Sequence, residues 1–134
     1  MAVLRQPGSL IEWHLPEERA LDPSERTTFL LKVPTWDEWK RISRYVESIA
    51  HAARNGNGDQ VAEYIRKLLG LGISDVQNLR LSDEKGELRT FTLQKTGDEL
   101  SAESAAVLMP FKDMLIHAIQ EASQLGGRDQ KNSP

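Results

Sequence analysis

The chain contains no cysteine among its 134 residues. Disulfides, thiolate nucleophiles and cysteine-ligated zinc are therefore excluded, and the composition suits a reducing compartment. Aromatic residues are scarce at 6%, and three of them are tryptophan. No stretch approaches the ~18 consecutive apolar residues of a membrane span. The opening MAVLRQPGSLIEWHLPEER lacks the ~7–15-residue apolar core of a signal peptide. Neither sign of charge dominates: the net charge is −3, with basic and acidic residues interspersed. A nucleic-acid binder needs a basic face to neutralise phosphates, so that class is disfavoured. There is no Gly-x-Ser-x-Gly elbow and no phosphate-binding Gly-x-x-x-x-Gly-Lys-Ser/Thr loop.

What is present is a globular balance, with 39% hydrophobic and 28% charged residues. A chain of this length fits one domain and buries roughly two-thirds of its unfolded surface. The pattern divides into an extended N-terminal arm at 1–26, a single domain at 27–127 and a flexible polar tail at 128–134. In the arm, Pro7-Gly8, Pro16 and Pro23 interrupt regular structure. Leu10, Ile11, Trp13 and Leu15 make an apolar patch that can lie across a core. Thr27–Val33 (TTFLLKV) reads as a strand stopped by Pro34, with Phe29, Leu31 and Val33 on one face. Thr35-Trp36-Asp37-Glu38 is a capping box, and predicts a helix from Trp36 to Arg54. Its expected apolar stripe is Trp36, Trp39, Ile42, Val46, Ile49, Ala50 and Ala53.

Asn55–Gly58 ends that helix. Asp59 then caps a second, Gln60 to Leu69, which Gly70-Leu71-Gly72 is expected to stop. The pair reads as an αα-hairpin. Asn78–Leu81 and Leu88–Lys95 flank Asp83–Gly86 as a short antiparallel β-hairpin. Ser101 caps a C-terminal helix bent or broken at Pro110. The fold class expected is α+β, a helix-dominated small domain.

Chemistry is sparse. His14, His51 and His117 lack metal-ligand spacing and read as surface or helix-flank histidines. Of the adjacent carboxylates, Asp37-Glu38 is explained by capping, Asp83-Glu84 by a turn, and Glu17-Glu18 is expected to be exposed. Lys40, Arg41 and Arg44 form the densest basic patch; the simpler reading is a solvated face with Arg44 paired to Glu47. The pattern predicts no catalytic residue, no cofactor and no metal, hence a protein that is not an enzyme. Tryptophans carry more information, because Trp is enriched at interface hot spots. Trp13, Trp36, Trp39, Phe111, Met114 and Leu115 are the candidate protein-binding residues, weighed against a plain core role.

Read in order, Leu15-Pro16-Glu17-Glu18-Arg19, Glu25–Thr35, Leu69–Ile73, Asn78-Leu79, Asp83–Gly86, Ala122–Leu125 and Asp129–Ser133 resemble tail assembly chaperone-like proteins of long-tailed bacteriophages and prophages. The resemblance implies a non-catalytic chaperone in the host bacterial cytoplasm. Its partners would be the tape-measure protein, whose apolar helices it keeps soluble, and the tail tube protein it helps recruit. A homo-oligomer is left open; nucleic acid and membrane are not expected partners. The alternative is a structural virion component, such as a head–tail connector or tail completion protein.

Overall fold

The computed structural model describes residues 4–127, so the 128–134 tail lies outside the described residues. It is an α+β domain in which a helical layer covers one face of a small antiparallel sheet. Strands β1 (Leu10–His14), β2 (Thr28–Lys32) and β3 (Ile73–Gln77) form that sheet in the order β1-β2-β3. Helices α1 (Trp36–Arg54) and α2 (Gly58–Gly72) intervene between β2 and β3. Two small hairpins follow, β4 (Arg80–Ser82) with β5 (Leu88–Thr90), then β6 (Lys95–Thr96) with β7 (Glu99–Leu100). Helices α3 (Ala102–Leu108) and α4 (Lys112–Gly127) close the chain.

The sheet's register explains its buried face. Trp13 lies opposite Phe29, which lies opposite Val76; Ile11 lies opposite Leu31, which lies opposite Ile73. Side chains of paired residues share a face, so these six make one apolar surface. Phe29, Leu31 and Ile73 are fully buried against it. Residues 10–14, read from sequence as part of an irregular arm, are thus an integral strand. Their strand pairing lies with residues about twenty positions away, which local signals do not report.

Helix α1 spans the residues expected, and its capping box is formed. Thr35 Oγ1 accepts from the Glu38 N–H at 3.3 Å, and the Glu38 carboxylate accepts from the Thr35 N–H at 3.0 Å. Of the expected stripe, Val46 and Ile49 pack against the core and Trp39 is half-buried, but three members turn outward. Ile42 and Ala52 are buried, whereas Trp36, Ala50 and Ala53 are exposed. Tyr45 takes an inward place, 6.3 Å from Tyr64 of α2.

Helix α2 is the centre of the domain. Leu68 and Leu69 are completely buried, and the helix packs on α1, α4, β3 and β7. Its cap is Asn57, whose side chain accepts from the Gln60 N–H at 3.2 Å, rather than Asp59. Gly70-Leu71-Gly72 does not stop it: these residues are helical and pass directly into β3. A Cβ on Gly70 would strike the Asp98 carbonyl oxygen, and one on Gly72 would meet the Ile119 side chain at 2.5–2.7 Å. Both glycines are there for close approach, not for left-handed backbone. Lys95 caps the end of α2 instead, donating to Gly70 O at 2.8 Å and to Ile73 O. Burial, with the Lys32 ammonium nearby, pushes its pKa below the ordinary lysine value, against Asp98, Asp75 and Glu38.

The central hairpin turns at Gly86, φ +79°, but its strands are shorter than expected, and Asn78 is a left-handed turn residue with φ +61°. Strand β3 and the β6–β7 hairpin are additional to the elements expected, apart from Lys95, which the expected strand Leu88–Lys95 includes. Pro110 breaks the last helical segment in two through a 3₁₀ turn at Met109–Phe111. Ser101 caps α3 by accepting from the Ser104 N–H at 3.1 Å. Leu108, Leu115, Ala118, Ile119 and Ala122, apolar residues at helical spacing along α3 and α4, are buried; the side chain of Leu125 lies outside the described residues.

Candidate protein-binding surface

The first turn of α1 is held from two sides. Thr35 caps it, and Lys32 at the end of β2 forms an ion pair with Glu38 at 2.5 Å. The Glu38 side chain is only 14% exposed. Burial alone would raise its pKa, but the Lys32 ammonium and the Thr35 hydrogen bonds outweigh that and hold it below the usual carboxylate value. Strand and helix are therefore tied at one corner, which fixes the direction in which Trp36 and Trp39 leave the backbone.

Those two side chains, three apart, stack on one another. Their ring centroids are 5.1 Å apart and the planes are within 9° of parallel. Trp39 is half-buried, but Trp36 is 68% exposed, the largest exposure of any large apolar side chain among the described residues. Water contacts an indole that would gain on burial, since aromatic side chains carry about 150–250 Å² each. The Lys40 ammonium lies 6.0 Å from the Trp36 ring centroid and 3.4 Å from Asp37.

Trp39 continues into a groove between α1 and α4. Trp39, Ile42, Ser43, Val46 and Glu47 line one wall at helical spacing; Gln120, Ser123 and Gln124 line the other. Both helices pack on α2. Ser123 spends its hydroxyl on the Ile119 carbonyl at 2.9 Å, which leaves this wall polar but not hungry for a partner.

The other candidates lie elsewhere. Trp13 on β1 packs against Phe29 at 5.7 Å, and Phe111 meets the same ring edge-on at 6.1 Å. Both are half-buried supports of a buried centre, as is Met114 on α4. Leu115 is wholly buried on the inward side of α4, a core residue with no surface to offer a partner. The structure thus brings Trp36 and Trp39 together, and sets Trp13 and Phe111 around Phe29. Gln120, Ser123 and Gln124 were missed, because polar helix residues carry no signal of the neighbour they face.

The polar candidates take local roles. His14 Nδ1 lies 3.3 Å from Thr28 Oγ1, His51 is 3.0 Å from Asn55, and His117 is 3.0 Å from Glu121. Glu18 is half-buried rather than exposed, and its carboxylate accepts from the Thr27 N–H at 2.9 Å. Arg41 reaches Asp98 at 3.3 Å, while Arg44 and Glu47 form no ion pair among the described residues. Among the described residues no group of His, Asp and Glu side chains is placed to hold a metal ion. No described helix is long and apolar enough to cross a membrane. No family model, curated protein or solved structure matches the chain.

Proposed function

We propose that this chain is a non-catalytic protein-binding domain, and specifically a phage tail assembly chaperone that holds apolar helical segments of a tape-measure protein. One observation carries the binding reading: a pre-stacked tryptophan pair, with Trp36 open to water, at the mouth of a helix-lined groove. An indole already stacked loses little further freedom on binding, so it makes an efficient anchor. The groove suits an amphipathic helix laid in by its apolar face. The sequence resemblance supplies the tape-measure protein as that helix's source, the tail tube protein as a further partner and the host cytoplasm as the place.

The test is co-expression with a tape-measure protein of a long-tailed phage. Tape-measure protein that turns soluble and copurifies supports the reading. If it stays insoluble and unbound beside the folded chain, the reading fails. Recovery of the chain in purified mature particles would favour the structural virion component instead.

A further inference from the structure

The two edges of the three-stranded sheet are finished differently. At β3, outward-facing backbone groups are closed by side chains: the Asp75 carboxylate accepts from the Val76 N–H at 2.8 Å, and Lys95 donates to the Ile73 carbonyl. At β1 the register leaves groups open. The Val33 N–H donates to Ser9 O at 2.9 Å and its carbonyl accepts from the Gly8 N–H at 2.7 Å, so the ladder opens on a bulge at Gly8-Ser9 with the Ser9 carbonyl facing β2. Antiparallel pairs alternate, so Ile11 and Trp13 also bond to β2, while Leu10, Glu12 and His14 turn their N–H and C=O groups away from it. The strand Leu10–His14 contains no proline, and among the described residues β2 is its only strand neighbour. An open edge of this kind is a template for another strand.

We propose that the β1 edge accepts an extended segment of a partner protein carrying a basic side chain opposite Glu12. Charge selects that occupant. The Glu12 side chain is 71% exposed, and its ionic neighbour is His14 on the same strand, 3.9 Å away. Leu10, 47% exposed on the same face, offers an apolar contact beside it. A second copy of the chain is the wrong partner. The two-fold antiparallel register that pairs all of β1 sets Leu10 opposite His14 and Glu12 opposite Glu12. Like charges directly opposite each other oppose pairing, and opposite charges favour it. Glu12 therefore discourages self-assembly and favours a cationic strand. The inference is independent of what the Trp36 groove binds.

A charge-swapped copy supplies the probe. Unlabelled Glu12→Lys protein is titrated into isotope-labelled wild type up to roughly 1 mM, and amide exchange and sedimentation are recorded. The mixture should pair roughly tenfold more tightly than either protein alone, with slowed exchange at the Leu10, Glu12 and His14 amides. Labelled Glu12→Pro protein is the second arm. Its missing N–H faces outward, so the edge tolerates proline; it should remain folded and fail to pair with Glu12→Lys. Wild type that self-pairs as tightly as it pairs with the variant would overturn the charge argument. A mixture without slowed exchange at those amides would overturn the proposal itself.

Discussion

Replacing Gly70 by alanine should destabilise the domain, although it lies in a helix, where that change ordinarily stabilises by about 1 kcal/mol. The reason is contact with backbone rather than with movable side chains. An added Cβ would collide with the Asp98 carbonyl, and would sit 3.0 Å from Leu100 N and 3.2 Å from Asp98 C. These atoms belong to the β6–β7 hairpin, which is fastened to α2 by Arg66 Nε donating to Leu100 O at 2.7 Å and by Lys95 donating to Gly70 O at 2.8 Å. The hairpin must move as a unit. Overpacking of this sort costs about 1–3 kcal/mol, and a weakened hydrogen bond adds about 1 kcal/mol. Set against the helix gain, the net loss is about 2 kcal/mol. Urea denaturation reads this directly: with m near 2 kcal/mol/M, the midpoint should fall by roughly 1 M. Gly58→Ala is the control, since Gly58 opens the same helix and its added Cβ meets no neighbour within 4 Å; it should lose no stability and gain up to about 1 kcal/mol. A Gly70→Ala midpoint equal to or above wild type would refute the close-packing argument and restore these glycines as simple helix punctuation.

Other outcomes follow from the same geometry. Phe29→Ala should cost about 3–5 kcal/mol by thermal or urea unfolding, because the ring is fully buried between Trp13 and Phe111. Thr35→Ala should cost about 1 kcal/mol through loss of the α1 cap, measured in the same way. For the Lys32–Glu38 pair, the folded pKa of Glu38 is depressed, so the pair's contribution is complete above the ordinary carboxylate range and disappears as pH falls through the folded value. Lys32→Met should therefore be less stable than wild type at pH 7, by about 1 kcal/mol, with the difference closing as pH falls through the depressed Glu38 value. A difference that persists in acid would assign Lys32 a packing role instead.

Local signals in the sequence were enough for α1, because Thr35 and Glu38 form a box whose meaning needs no distant partner. The same holds for the Gly86 turn and the break at Pro110. Features that depend on tertiary contact were illegible. Gly70 and Gly72 look like helix stops, since sequence does not show that Asp98 and Ile119 crowd them. β1 looks irregular, because its pairing with β2 is non-local. The α1 stripe pointed Trp36 inward, since hydrophobic spacing alone cannot tell a core residue from one left in water. Of the candidate surface, the tryptophan pair was readable and the α4 wall was not. Leu115 has the composition of an interface residue and the position of a core one.

The central claim is that the Trp36–Trp39 surface binds a helical partner. Its most direct measurement compares copurification of the co-expressed tape-measure protein by wild type and by Trp36→Ala, with both shown to be equally folded by urea unfolding. Trp36 is mostly exposed, so the variant should keep its stability within about 0.5 kcal/mol while losing about 2 kcal/mol of binding, roughly thirtyfold in affinity. A Trp36→Ala protein that is folded and captures the partner as well as wild type does would contradict the account.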